Sequence, residues 1–152
     1  MGMEIERKFK LKSTSALEGH TGSHFLQAYL AKGAVLLRVR VCDNQAWLTL
    51  KGQPVSTLSR SEWEYEIPVS EAREMARQTG AYSLEKTRYF IEHKGHTFEV
   101  DQYHGALEGL YTVEVEMDSE TTWVDLPEWV GEEVTGNRAW DNESLARNGW
   151  PA

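Results

Sequence analysis

Glu4-Ile5-Glu6-Arg7-Lys8 places two carboxylates and an ammonium at alternate positions near the N-terminus. Alternate side chains of an extended strand leave the same face, so these three point together. The alternation recurs in Arg38-Val39-Arg40, Thr49-Leu50-Lys51, Arg60 with Glu62 and Glu64, Lys86-Thr87-Arg88, and Glu114-Val115-Glu116. Sorted by face, the basic set is Lys8, Arg38, Arg40, Lys51, Arg60, Lys86 and Arg88; the acidic set is Glu4, Glu6, Glu62, Glu64, Asp101, Glu114 and Glu116. Guanidinium forks match phosphate oxygens two at a time and Lys adds point charge, so the basic set suits phosphates. Clustered carboxylates without matching His or Cys suit a hard cation, Mg2+ or Mn2+, which keeps waters and shares phosphate oxygens. Together they describe a metal-assisted phosphoryl site. Any one pair could instead be a cross-strand ion pair on a wet sheet, worth about 0–1 kcal/mol. Consistent segregation by parity, with apolar residues on the opposite face, favours a site.

Positioning such a set requires strands. Period-two segments run at about Met3–Leu11, His24–Leu30, Val35–Cys42, Gln45–Lys51, Arg60–Pro68, Leu84–His93, His96–Tyr103 and Tyr111–Met117, with turn chemistry at Gly33, Asp43-Asn44, Lys94-Gly95 and Gly105 to Gly109. Tight hairpins are expected at Lys94-Gly95 and Asp43-Asn44. Helices are fewer. Ser70 to Gln78 is expected to be helical, with Ser70 as N-cap and Gly80 as the stop; Thr14 to Gly19 and Asn142 to Asn148 are shorter candidates. Opposite the charges stand Ile5, Phe9, Leu37, Val39, Val41, Leu48, Leu50, Trp63, Tyr65, Ile67, Val113 and Val115, too many large apolar groups to leave in water. They are expected to pack beneath helices or a partner chain. About eight antiparallel strands suffice to close a barrel and remove its edges. The expected fold is mainly β (α+β): a closed eight-stranded antiparallel barrel whose lumen is a charged tunnel, with a few helices outside.

The 152 residues are read as one domain, 1–152, with 40% hydrophobic and 26% charged content in a normal globular balance. A net charge of −8 argues against a general nucleic-acid-binding surface. No apolar run reaches the roughly 20 residues of a membrane helix and no signal peptide is apparent, so a cytoplasmic location is expected. Cys42 is the only cysteine, which excludes an internal disulfide; it is read as a strand residue with no neighbour to lower its pKa. Apart from the loose pair His93 and His96 across a hairpin, His20, His24, His93, His96 and His104 show no metal-ligand spacing on one element, and all are read as loop or surface residues.

The chain resembles the CYTH superfamily, also called triphosphate tunnel metalloenzymes. Glu4-Ile5-Glu6-Arg7-Lys8-Phe9 matches its ExExK signature. Gln27-Ala28-Tyr29-Leu30, Arg38-Val39-Arg40, Thr49-Leu50-Lys51-Gly52, Arg60 with Glu62 and Glu64, Lys86-Thr87-Arg88, Asp101, and Gly109-Leu110 leading into Glu114-Val115-Glu116 follow in the expected order, covering residues 3 to about 147. The resemblance implies a tunnel that binds triphosphate-containing substrates. It implies metal-binding roles for Glu4, Glu6, Glu114 and Glu116, with Mg2+ or Mn2+ as cofactor. It implies that Lys8, Arg38, Arg40, Lys51, Arg60, Lys86 and Arg88 form the triphosphate cradle. It further implies that Glu62, Glu64 and Asp101 hold a second metal or orient a water, with Lys51 also placed among the catalytic groups.

That family includes inorganic, thiamine and RNA triphosphatases and class IV adenylyl cyclases. Hydrolysis of inorganic triphosphate is favoured, because the opening resembles short bacterial members with this activity and the length leaves little room for added recognition elements. The alternatives are a cyclase, a nucleoside or thiamine triphosphatase, in which Trp63, Tyr103, Trp123 or Trp129 would stack on a ring, and a noncatalytic polyphosphate- or nucleotide-binding module. Residues 137–152, with Trp140 and Leu145, are expected to pack on the barrel or plug one mouth of the tunnel. Trp63 and Tyr65 on the outer face are compatible with a homodimer.

Overall fold

A computed structural model describes residues 2–151. The alternating segments form β1 (Glu4–Leu11), β2 (Ser23–Lys32), β3 (Leu36–Cys42), β4 (Gln45–Pro54), β5 (Ser59–Ile67), β6 (Tyr82–His93), β7 (His96–Tyr103) and β8 (Tyr111–Glu116). They pair antiparallel in the order β5-β4-β3-β2-β6-β7-β8-β1, and β1 returns to β5 to close an eight-stranded barrel. Closure satisfies the backbone groups that an open sheet would leave at its edges. The β6–β7 hairpin turns through Lys94 (φ 47°) and Gly95 (φ 87°) between the paired His93 and His96. Positive φ at both central residues matches the twist of the flanking strands, which explains the Lys-Gly pair.

Closure at β1 is short. Its register with β5 is Glu4 with Arg60 and Ile5 with Ser59; further along, β9 (Val130–Glu133) pairs with β1 from Phe9 to Leu11. This ninth strand has no alternating signal in its Val-Gly-Glu-Glu sequence. The partner imposes it: a Cβ at Gly131 would lie 3.0 Å from the Lys10 carbonyl oxygen, so close backbone approach selects glycine there.

Three apolar clusters lie outside or at the ends of the barrel. Helix α1 (Val69–Thr79) brings Val69, Ala72, Met75 and Ala76 onto Val39, Val41 and Ala46, and Gly80 ends it in the left-handed conformation. The N-cap is Pro68, not Ser70: extended Pro68 (φ −61°, ψ 140°) carries no side-chain capping bond, and Ser70 falls inside the first turn. On the other side Phe9, Phe98, Val100, Val113 and Val115 lie beneath Val124 and Trp129, so an irregular segment, rather than a helix, covers that face. Truncating the fully buried Phe98 to alanine is expected to cost about 3–5 kcal/mol in denaturant unfolding. Helix α2 (Asn142–Asn148) docks Leu145 against Leu84, Tyr103, Leu107 and Leu110, while residues 14–17 form a 3-10 turn. Tyr65 stays exposed. No helix is long and apolar enough to cross a membrane.

Candidate active site

Strand parity carries the charged side chains to the lumen, where they line a cavity of about 190 Å3. β1 contributes Glu4, Glu6 and Lys8; β3 Arg38 and Arg40; β4 Lys51; β5 Arg60, Glu62 and Glu64; β6 Arg88; β8 Glu114 and Glu116. Twelve of the fourteen residues singled out from the sequence thus share one cavity. The other two, Lys86 and Asp101, do not line it. Both are fully buried, with Lys86 Nζ donating to Asp101 at 2.8 Å.

Many lumen charges already have partners. Lys51 Nζ lies 3.1 Å from Glu4 and 3.4 Å from Glu62; Lys8 Nζ lies 3.1 Å from Glu114 and donates to the Trp140 carbonyl. Arg88 donates to both oxygens of Asp101 at 2.8 and 2.9 Å and reaches Glu99 and Glu114 at 3.2 and 3.3 Å. Burial opposes ionisation of Glu114, yet Lys8, Arg88 and Lys86 hold its carboxyl well below the usual range.

The exceptions sort by wall. Glu6 and Glu116 face one another directly across β1 and β8, an arrangement that costs free energy when both are charged. Neither has an ion-pair partner among the described residues. Burial, then Glu114 and Glu4, push Glu6 well above the usual carboxylate range; burial, then Glu4, Glu62 and Glu114, push Glu116 up as well. On the other wall Arg40 donates to Gln27 and lies over the Phe25 ring, with no carboxylate in ion-pair contact. Burial, then Arg38 and Arg88, push it down to about 10. Arg38 Nε is buried without any partner, although its other end reaches Thr49 at 3.2 Å and Glu64 at 3.6 Å. Arg60, on the strand that closes against β1 and in register with Glu4, donates among the described residues to the Gly52 carbonyl alone.

Buried charge normally carries its partner with it. A lumen with surplus carboxylates on β1 and β8 and surplus guanidiniums on β3 and β5 is therefore built for something that supplies both signs, such as a polyanion with a hard cation. The all-oxygen donor set fits Mg2+ or Mn2+. Among the described residues no three His, Cys, Asp or Glu side chains are already grouped to hold a metal; a cation sharing phosphate oxygens and waters needs fewer protein ligands.

Several participants escaped the sequence reading. Glu99 lines the cavity from β7 and stands opposite Glu114, with burial pushing its carboxyl up to about 7. It shares parity with Asp101, a signal that was available. Gln27, fully buried, carries the Arg40 contact. The C-terminal segment adds Arg138, Asp141, Asn142 and Glu143 to the cavity wall while Leu145 anchors α2, so it packs on the barrel and lines the site at once.

Asp101 accepts from both Lys86 and Arg88. Its replacement by alanine would leave two buried cations short of charge, so Asp101→Ala is expected to lower unfolding free energy by about 3–5 kcal/mol. Full stability with lost turnover would place it at the substrate instead.

A closed antiparallel barrel with a lumen lined by carboxylates on one wall and guanidiniums on the other defines a charged-tunnel protein. The chain matches the CYTH domain over residues 2–145, and it belongs to that family. It is 37% identical over 150 residues to an inorganic triphosphatase of Acetivibrio thermocellus, covering 97% of this chain and 96% of that one. It is 36% identical over 148 residues to an inorganic triphosphatase of Nitrosomonas europaea, covering 94% and 96%. A crystal structure of an inorganic triphosphatase superposes with a TM-score of 0.66 at 33% identity, over 93% of this chain and 96% of that one. A conserved hypothetical protein from Pyrococcus furiosus, at 24% identity and a TM-score of 0.59 over 78% and 80%, shares the fold.

Proposed function

We propose that this protein hydrolyses inorganic triphosphate to diphosphate and phosphate with the help of Mg2+ or Mn2+. The observation that carries the reading is the half-buried Arg40, without a carboxylate, facing a lumen whose opposite wall holds the unmatched Glu6 and Glu116. Relatives that bear the name inorganic triphosphatase over nearly the whole chain support the choice of substrate.

Arg38, Arg40, Arg60 and Arg88 would take the phosphate oxygens, their forks fixing the chain in the lumen. Glu4, Glu6, Glu114 and Glu116 would hold the divalent cation, which supplies charge neutralisation to phosphoryl oxygens during transfer. Phosphoryl transfer needs little covalent chemistry from protein, only positioning and electrostatics. Glu62 and Glu64, on the lumen face of β5, would orient the attacking water in line with the leaving diphosphate, with Lys51 holding Glu62 in place. Arg40 needs no reorganisation to meet charge on the leaving group, because it already stands without a carboxylate partner.

Comparison of kcat/KM for tripolyphosphate, ATP and thiamine triphosphate tests the reading, with phosphate, diphosphate and cyclic AMP followed as products. Tripolyphosphate is expected to be the preferred substrate, yielding diphosphate and phosphate. Cyclic AMP from ATP would make the protein a cyclase, and binding without product would make it a phosphate-holding module.

A further inference from the structure

We propose that the triphosphate site has a second opening, a gap in the barrel wall beyond the short β1–β5 pairing, and that inorganic phosphate leaves through it. The proposal rests on the triphosphatase reading above. The wall splits at this point: the chain leading into β5 meets β1 as far as Leu58, whose carbonyl accepts from the Glu6 N–H, and the chain leaving β9 meets it from Val134, whose N–H donates to the Lys8 carbonyl. Between them lies a chamber of about 420 Å3. Glu4, Glu6 and Lys8 line both this chamber and the main cavity, so the chamber reaches the carboxylate wall from the side.

Its chemistry suits a small phosphate. Arg60 and Arg138 line it as well as the main cavity, and neither has an ion-pair partner among the described residues. Thr57 at its rim carries a hydroxyl, which donates to phosphate oxygens. The rims approach at Thr57 and Gly136, where a Cβ on residue 136 would lie 2.7 Å from Thr57 Cγ2. Hydrolysis of triphosphate makes two anions of unequal size in one enclosed lumen. Diphosphate stays in the guanidinium cradle until it returns by the mouth at Lys32 and Gln53, whereas phosphate, released beside Glu4 and Glu6, has the chamber before it.

Narrowing the gap separates product exit from substrate entry. Thr57 is exposed at the rim, and Val55 on the same loop is exposed without lining the chamber. With tripolyphosphate, Thr57→Trp is expected to lower kcat at least about five-fold while kcat/KM stays within about two-fold, and to show a burst of about one phosphate per protein. Val55→Trp should behave as the wild type. A folded Thr57→Trp protein with both constants unchanged would overturn the proposal, as would a kcat/KM that falls in step with kcat, which would make the gap the substrate's route. Thr57→Leu serves the same comparison if the Trp variant does not fold. A wild-type protein that fails to hydrolyse tripolyphosphate removes the triphosphatase reading and this proposal with it; an active wild type with an unaffected Thr57→Trp removes the gap alone.

Discussion

Glutamine at position 6 is expected to abolish tripolyphosphate turnover and to make the metal-free protein more stable. Glu6 faces Glu116 across the barrel seam, with Glu114 and Glu4 close enough to disfavour its charge. Among the described residues it has no ion-pair contact, and Lys51 and Lys8 offset the repulsion only in part. Glu6→Gln keeps the shape, removes one of the like charges, and so relieves the folded state. The same change deletes a ligand charge for a divalent cation, for which a loss of at least about 100-fold in kcat/KM is expected, the upper end of what even outer-shell partners of a metal cost. Opposite signs in two measurements, activity and thermal unfolding in chelator, distinguish this from an ordinary surface carboxylate. Near-wild-type turnover would remove Glu6 from the metal site.

The second large effect is expected at Arg40. Its guanidinium lies over Phe25, is held by Gln27, and is pressed by Arg38 and Arg88 without a carboxylate in contact. A protein gains little in stability from such a group, so Arg40→Ala is expected to unfold within about 1 kcal/mol of wild type, lost packing offsetting relieved repulsion. Turnover is expected to suffer far more. Loss of one preorganised donor costs on the order of 100- to 1,000-fold when charge develops in the transition state, with KM raised and kcat lowered together. Arg40→Lys should recover part of this, because the point charge returns without the planar fork. An effect confined to stability would mark Arg40 as structural.

Alternation in the sequence made the inward face of most barrel strands legible, because a strand's period of two is not blurred by context. It could not show depth. Lys86 and Arg88 share a face, but two residues advance a strand by about 6.6 Å, enough to put Arg88 at the cavity and Lys86 beneath it with Asp101. Charge type alone could not separate a residue that meets substrate from one that supports its neighbour. β9 was illegible because its pairing is decided by β1 and by room for Gly131, not by its own side chains. Arg138 and Asp141 belong to an irregular segment with no period to read, and only the docking of Leu145 brings them to the lumen. Helix α1 was visible through the Ser70–Gln78 run and the Gly80 stop, whereas its first residue depended on the local conformation at Pro68, which composition does not fix.

The unmatched charges of the lumen are the centre of this account, and phosphorus NMR of the purified protein with tripolyphosphate and Mg2+ or Mn2+ tests them most directly. The account predicts equal amounts of diphosphate and phosphate, with turnover stopped by chelator and restored by added metal. Tripolyphosphate left intact in the presence of either metal, or consumed at the same rate in chelator, would contradict it.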